Sequence, residues 1–200
     1  MRRPILFEVG SLTAGLLALG GGRGRAAEDG SVVGTVTARG LPSNADVVVS
    51  LLAPGLSVTP PARPVEMDQK GKVFIPHVLP VTRGTTVRFL NSDPFAHNVF
   101  SPEGRYDLGS WQQGEVRDHA FTKAGVYTQL CRIHPEMEAF VIVLDTPYFA
   151  KTDQTGAFQI RGVPAGRYTL VAWSEKLKEL KQPITVEAGK PTTVRLVLGK

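Results

Sequence analysis

The chain has 200 residues, of which 42% are hydrophobic and 20% charged, with 21 glycines and 15 prolines. This composition excludes a disordered tail and is typical of one or two compact domains rich in turns. The formal net charge is +5, but four arginines and one glutamate lie within the first 26 residues, and the remaining 19 basic and 17 acidic residues leave only +2. That balance disfavours a nucleic-acid-binding protein.

The first 26 residues have the pattern of an export signal. Arg2 and Arg3 form a positive start, residues 12–19 supply most of an apolar centre, and Gly24 with Ala26 are small residues suited to a cleavage point. The glycine triplet before them would end a native N-terminal helix, which is the alternative. We therefore predict a periplasmic or secreted protein whose mature chain contains no membrane span. The sequence leaves open whether export follows the general or the twin-arginine route.

From residue 31 onward, short runs of β-branched residues alternate with turn residues, which predicts an all-β protein. Strands are predicted at 32–38, 46–52, 73–74, 85–90, 98–100, 114–121, 125–130 and 139–144. Four prolines fall within residues 54–64. Because proline cannot donate a hydrogen bond to a central strand, this stretch is predicted to be a surface loop.

A domain boundary is predicted near residues 146–147, so that residues 30–146 form one unit and residues 147–200 a second. In the second unit apolar side chains alternate along short segments. Its predicted strands include 158–160, 168–170, 184–186 and 193–198, with a helical turn at 177–180. Because 54 residues are few for an independent core, we expect this unit to pack against the larger one.

The chain contains a single cysteine, Cys131, which cannot form an internal disulfide. His134 and Met137 follow it at intervals of three residues, so a thiolate, an imidazole and a thioether are evenly spaced. Pro135 argues against a continuous helix, and the flanking predicted strands make this segment a tight loop. Such a loop can fold its three side chains around one ion.

A fourth candidate, His97, lies upstream at the start of a predicted strand. Two histidines and one cysteine with a weakly bound methionine are the ligand set of blue-copper electron-transfer sites, whereas zinc normally takes stronger fourth ligands. Taken singly, Cys131 could be a buried structural thiol, Met137 a core residue and His97 a turn residue. The four residue types together, in register between strands, favour a copper site.

The chain resembles the plastocyanin, pseudoazurin and amicyanin group of cupredoxins over residues 30–146. The matching positions are 74–76, 84–89, Asn91, Asp93, 97–99, Phe121, Gly125, Tyr127, Cys131, His134 and Met137. The Cys-x-x-His-x-x-Met spacing, with proline after the histidine, is most similar to that of amicyanin. The resemblance implies a Greek-key β-sandwich that holds one copper ion at one end.

The resemblance also implies a role for each site residue. His97 and His134 would be imidazole ligands, with the edge of His134 exposed to solvent. Cys131 would be the thiolate ligand and Met137 the axial one. Asn98 is similar to the family residue whose amide helps to hold the ligand loop and hydrogen-bonds near the thiolate sulfur, and such contacts tune the metal.

The chain departs from single-domain cupredoxins in two ways. Arg132 replaces a small hydroxyl residue, so the hydrogen bond of that hydroxyl is not expected here. The C-terminal unit is additional, and through residues 152–158 and 163–170 it resembles carboxypeptidase regulatory-like, or transthyretin-like, β-sandwich modules. This second resemblance implies a fold but no function. The combined layout is similar to that of secreted bacterial proteins labelled methylamine utilisation proteins.

These observations predict a one-electron carrier that cycles between Cu(I) and Cu(II) and is not an enzyme. Redox partner proteins are expected to dock briefly near His134, over an apolar patch that includes residues 94–96 and Pro135. One alternative is a copper storage or delivery protein. Another is a small copper oxidoreductase, which a closed set of four ligands disfavours because catalysis needs an open coordination position.

Four other residues carry weaker signals. His77 and His119 are predicted to be structural or surface residues, although either could be a further ligand or a ligand's neighbour. Trp173 continues an alternating apolar row and is predicted to be a packing residue. Weak carbohydrate or protein contact through the C-terminal module is the alternative. Glu136 is expected to be a solvated loop charge.

Overall fold

The computed structural model describes residues 28–200, so the predicted export signal lies outside the described residues. Within this range there are sixteen strands and no helix, and therefore no helix that could cross a membrane. The predicted all-β class is confirmed. The strands are β1 (Gly30–Ala38), β2 (Val48–Leu52), β3 (Val65–Gln69), β4 (Phe74–Ile75), β5 (Val78–Thr82), β6 (Thr86–Leu90), β7 (His97–Ser101), β8 (Tyr106–Trp111), β9 (Val116–Ala120), β10 (Gly125–Leu130), β11 (Glu138–Leu144), β12 (Phe149–Lys151), β13 (Ala157–Val163), β14 (Gly166–Ser174), β15 (Leu177–Val186) and β16 (Pro191–Leu198).

Strands β3 to β11 form the first sandwich. Its larger sheet has the order β5-β11-β10-β7-β8, and its smaller sheet has the order β4-β3-β6-β9. Apolar side chains alternate along the strands, and those facing inward from both sheets form one buried core that includes Met67, Phe89, Val99 and Val141. Neighbouring strands are often distant in sequence, as in the parallel pair of β5 and β11, so the connections cross between the sheets.

The remaining seven strands form a second sandwich. Its sheets have the orders β13-β1-β16 and β12-β2-β14-β15. Strand β1 lies in the middle of its sheet, antiparallel to β13 and parallel to β16, and β2 lies between β12 and β14. The core includes Val36, Leu51, Ile160, Leu170 and Leu196, so the first and the last strands both contribute to it.

This pairing differs from the predicted division of the chain into residues 30–146 and 147–200. Strands β1 and β2 belong with the C-terminal strands, and the first sandwich is inserted between β2 and β12. The physical reason is that the C-terminal strands alone lack a central strand for one of their sheets, and β1 fills that position. Hydrophobic periodicity identifies a strand but does not reveal its partner.

The helical turn predicted at 177–180 is wrong, because these residues begin β15 and pair with the end of β14. Leu177 and Leu180 are three residues apart, which is a helical spacing, yet both pack against the same core. A register shift explains this, since Ala172 and Ser174 of β14 pair with Leu180 and Leu177. The extra residue of this β-bulge resets the alternation of side chains.

The two sandwiches meet through a small apolar cluster formed by Val48, Val78 and Ile142. Trp173 packs here against Phe140, with ring centroids 5.5 Å apart. The tryptophan is therefore a packing residue, as predicted, but it lies between the sandwiches rather than inside one of them. Lys151 adds a polar contact by donating a hydrogen bond to the carbonyl oxygen of Val78 at 3.1 Å.

Replacement of Gly156 by alanine tests the placement of β1. Gly156 has a φ of +85°, and a Cβ there would lie 2.1 Å from the carbonyl oxygen of Val36 in β1. We expect Gly156→Ala to lower the free energy of unfolding by about 3 kcal/mol, because strain in the left-handed region and a backbone clash act together. Urea denaturation measures the change.

Gly55→Ala is the matched control. Gly55 has a similar φ of +77°, but a Cβ there meets nothing within 4 Å. We expect it to cost about 1 kcal/mol, which is the backbone strain alone. Equal costs for the two variants would contradict the packing of β1 against the C-terminal strands.

Candidate metal centre

His97 is the first residue of β7 and its side chain is fully buried. The strand pairs with β8 on one side, where His97 lies opposite Trp111, and with β10 on the other. The ladder between β7 and β8 shifts register between Asn98 and Phe100. At this shift the backbone of Gly109 turns toward β7, and its carbonyl oxygen accepts a hydrogen bond from the Asn98 side chain at 2.9 Å.

The loop predicted around Cys131 comprises residues 131–137, connects β10 to β11, and is called the ligand loop below. Leu130 and Glu138 close the antiparallel ladder at the loop's base. Within the loop, the amide of Met137 donates a hydrogen bond to the carbonyl oxygen of His134 at 3.0 Å. Because β10 lies beside β7, this loop is brought against the N-terminal end of β7, where His97 lies.

Three predicted ligand residues converge at this end of the first sandwich. One donor atom each of His97, Cys131 and His134 lie within 4.8 Å of one another. The Cys131 Sγ to His97 Nδ1 distance is 4.0 Å, and the two Nδ1 atoms of His97 and His134 are 3.1 Å apart. Donors that each lie about 2.0 to 2.3 Å from one ion are separated by about 3 to 4 Å. The two separations that involve His97 therefore match those around a single metal ion.

Met137 lies at the end of the same loop. Its side chain is buried and belongs to the core cluster that contains Cys131. The structure thus places Met137 on the buried side of the loop, while its role as an axial ligand remains a prediction. A thioether in a dry environment can act as a weak donor without competing hydrogen bonds.

A carboxylate that the sequence analysis matched but gave no role lies behind His97. Asp93 Oδ2 is 2.8 Å from His97 Nε2, so the imidazole donates its Nε2 proton there and presents Nδ1 to Cys131 and His134. This arrangement orients the ring and fixes its tautomer. The sequence signal was available, because an acid four residues before a candidate ligand can reach its ring.

Asp93 is buried, yet it remains ionised. Burial alone would raise its pKa, but hydrogen bonds from the backbone amides of Lys72 and Gly71, and from His97, lower the pKa to about 2. The hydrogen bonds that Asp93 accepts from these backbone amides measure 2.7 Å from Gly71 and 3.0 Å from Lys72. A loop of the hairpin between β3 and β4 therefore holds the carboxylate that holds His97.

The sulfur of Cys131 is contacted by the neighbouring strand. The backbone amide of Asn98 donates to Sγ over 3.4 Å, and the Asn98 side-chain oxygen accepts from the Arg132 amide at 3.3 Å. Asn98 therefore bridges β7 and the ligand loop, in the position that the family resemblance implies.

The accessible edge of the cluster is formed by His134 and Phe95. His97 and Cys131 are buried, whereas His134 is half-buried and Phe95 is 37% exposed. The Phe95 ring lies 5.5 Å from the His134 ring and 5.3 Å from the His97 ring, between centroids. Lys72 Nζ lies 5.7 Å from the centre of the Phe95 ring and adds a positive charge beside it.

His77 and His119 do not join the three-residue cluster that the described residues form. His77 pairs with Glu175 of the second sandwich and contacts the carbonyl oxygen of Glu138 at 3.1 Å. His119 stacks on Tyr106 with ring centroids 3.8 Å apart, and burial lowers its pKa. Both therefore have structural contacts of their own.

Residues 135–199 match the carboxypeptidase regulatory-like domain family, which is about a third of the chain. No curated protein matches the chain.

Three solved structures are similar to part of the chain. A purple cupredoxin from Nitrosopumilus maritimus is 25% identical, with a TM-score of 0.36, and the match covers 40% of this chain and 98% of that one. A reduced amicyanin variant is 22% identical, with a TM-score of 0.40, and the match covers 48% of this chain and 98% of the amicyanin chain. A copper-containing nitrite reductase from Thermus scotoductus is 28% identical, with a TM-score of 0.40, covering 55% of this chain and only 28% of that protein. The chain resembles a cupredoxin with a regulatory-like β module.

Replacement of Asp93 by asparagine should reduce the stability of the metal-free protein at pH 7 by about 2 kcal/mol, because charge-assisted hydrogen bonds are lost. The pKa of Asp93 is lowered from 3.8 to about 2, so its stabilising effect is complete above pH 3.8 and declines as the pH falls toward 2. Urea denaturation should therefore show a smaller difference in the free energy of unfolding between wild type and Asp93→Asn at about pH 2.5 than at pH 7.

Asp118→Asn is the control for this prediction. Asp118 pairs with Arg88 at 2.9 Å, but both side chains are exposed. Exposed pairs contribute less than about 1 kcal/mol. If Asp93→Asn lost no more unfolding free energy than Asp118→Asn, or if its loss did not depend on pH, the result would argue against a buried ionised carboxylate at Asp93.

Proposed function

We propose that the protein is a copper-binding one-electron carrier. The observation that supports this proposal is the convergence of two imidazoles and one thiolate at the same end of the first sandwich. Bound copper would supply a one-electron couple between Cu(I) and Cu(II), with no bond made or broken in a substrate.

The chemistry of the donor set favours copper over other ions. Thiolate and imidazole donors disfavour hard cations such as magnesium and calcium, which take oxygen ligands. Zinc would accept the same three donors but usually takes a strong fourth ligand. The candidate fourth donor is the thioether of Met137, buried beside Cys131, and a weak axial methionine is characteristic of blue-copper sites.

The protein's own residues hold the donors in place. Asp93 fixes the tautomer of His97, and the Asn98 amide contacts the sulfur of Cys131. The ladder between β10 and β11 closes the loop that carries Cys131 and His134. Donors fixed by β-sheet pairing cannot rearrange much when the charge of a bound ion changes. Low rearrangement favours rapid electron transfer.

The accessible edge of His134 is the proposed point of contact with redox partner proteins. Phe95 and Ile133 are large exposed apolar residues near it, and Lys72 lies over the Phe95 ring. A small apolar surface beside a positive charge suits brief docking, because interfaces of electron-transfer complexes are small. We propose a periplasmic or secreted location on the basis of the N-terminal export pattern.

The central experiment is a visible spectrum of the mature protein loaded with Cu(II). We expect an intense thiolate-to-copper charge-transfer band for wild type and no such band for Cys131→Ser, because serine offers no thiolate. Total copper, measured in parallel by elemental analysis, separates loss of the band from loss of the ion. Wild-type protein that binds copper but is colourless would contradict the proposal.

Reversible electrochemistry of the same samples separates a carrier from a storage or delivery protein. A carrier should show a fast and reversible one-electron couple. Copper that is bound through Cys131 but cannot be cycled rapidly would instead indicate storage or delivery.

Met137→Leu tests the fourth donor. Leucine preserves the volume and burial of the side chain but removes the sulfur, so the variant should fold and retain copper. We expect its reduction potential to shift, because the weak axial ligand tunes the potential. The measurement is protein-film voltammetry, with Met67→Leu as the control because Met67 is an equally buried core methionine on β3. An unchanged potential in Met137→Leu would show that Met137 is not a ligand.

A further inference from the structure

Arg132, the residue that departs from the family pattern, does not extend freely into solvent. Its guanidinium carbon lies 4.0 Å from the centre of the Phe100 ring, and its Nε donates to Asp107 Oδ2 at 2.8 Å. The side chain therefore reaches from the ligand loop across β7 to the start of β8. Stacking and ion pairing together define a single placement for the guanidinium.

The other oxygen of Asp107 is directed at Asn98. Asp107 Oδ1 accepts from Asn98 Nδ2 at 2.7 Å and from the Gly109 amide at 3.0 Å. The hydrogen bond from Arg132, followed by those from Gly109 and Asn98, lowers the pKa of Asp107 and keeps it charged. A charged acceptor makes the bond to Asn98 a strong one.

These contacts form a closed ring. The Asn98 side-chain oxygen accepts from the backbone amide of Arg132, the same residue whose side chain pairs with Asp107. Asn98 Nδ2 has two acceptors, Asp107 and the Gly109 carbonyl oxygen, so the orientation of its amide is unambiguous. The backbone of Asn98 at the centre of this ring donates to the sulfur of Cys131.

We propose that Arg132 and Asp107 are positioning residues for the metal centre: together they clamp Asn98 so that its backbone amide stays directed at the Cys131 sulfur. This inference rests on the proposed function for its effect on copper. A hydrogen bond to the thiolate lowers the electron density that the sulfur donates and so favours the reduced ion. The clamp therefore raises the reduction potential.

The charges of the two residues provide a sharp test. If Arg132 and Asp107 acted only through their charges, removing the positive Arg132 would lower the potential and removing the negative Asp107 would raise it. If they act by positioning Asn98, removing either one weakens the same hydrogen bond and lowers the potential. The two mechanisms thus predict shifts of opposite sign in the reduction potential of the Asp107 variant.

The experiment compares Arg132→Gln, Asp107→Ala and the double variant by voltammetry of the copper-loaded protein. We expect both single variants to lower the potential and the double variant to lower it no further than Asp107→Ala, because residues of one network are not additive. Copper dissociation should become about tenfold faster, as is typical when contacts behind a metal ligand are lost. Arg132→Lys, which keeps the charge but not the planar fork, should restore the potential only in part.

A second readout needs no copper. Cys131 is buried and is the only cysteine, so the rate at which iodoacetamide alkylates it in the metal-free protein reports how firmly the loop is held. Asp107→Ala and Arg132→Gln should raise this rate several-fold. The unfolding midpoint of Arg132→Gln should change little, because the ion pair itself is 62% and 41% exposed. Asp107→Asn can still accept from Asn98, so it should show a smaller effect.

Arg88→Gln is the matched control, because it breaks the exposed ion pair between Arg88 of β6 and Asp118 of β9. It should leave the reduction potential and the alkylation rate of Cys131 unchanged. A higher potential in Asp107→Ala, or an alkylation rate equal to that of wild type, would overturn the positioning role. If wild type forms no copper-thiolate band, the proposed function fails, while the alkylation rates still decide whether the clamp exists.

Discussion

The candidate site depends on the contact between β7 and β10. The two strands pair through Phe100 and Leu130, next to the points where β7 begins with His97 and β10 ends before Cys131. These two donors are 34 residues apart in sequence and are 4.0 Å apart in space. Because β-strands are held at a fixed spacing by their ladder, the pairing of β7 with β10 brings the imidazole of His97 and the sulfur of Cys131 close together. His134 then needs only the short turn that ends at Met137.

Much of this arrangement could be predicted, because it depends on the spacing of residues that are close together in the sequence. The loop from Cys131 to Met137 and the position of His97 before a strand are visible in the sequence. Asp93 and Arg132 received no role, since an acid and a base beside a loop are usually solvated, and only the fold brings one beneath His97 and the other onto Phe100. Strands β3, β5, β8 and β12 were also not predicted. Proline in β5 and glycine in β8 weaken the strand pattern, and pairing with neighbours compensates for it.

The insertion of one sandwich into another explains why the first two strands and the last five lie in the same unit. Strands β2 and β12, which flank the inserted residues, are antiparallel neighbours, with Phe149 opposite Ser50 and Lys151 opposite Val48. The inserted sandwich thus leaves and re-enters the second one at adjacent points, which is the geometry that tolerates a domain insertion. Two covalent connections and the apolar cluster around Ile142 join the two units.

The charges around the site act in opposite directions. Asp93 lies behind His97, and its negative charge would favour the more highly charged state of an ion bound beside it. On the sulfur side, the amide of Asn98 would favour the reduced state, and Arg132 neutralises the carboxylate of Asp107 that holds Asn98. Each carboxylate is matched by donors of its own, backbone amides for Asp93 and a guanidinium for Asp107, so neither is left uncompensated near the core. Asp93 contacts the imidazole of His97 and the amide of Asn98 contacts the sulfur of Cys131, so the two influences act on different donors. A site built in this way can have its potential adjusted while its donors stay in place.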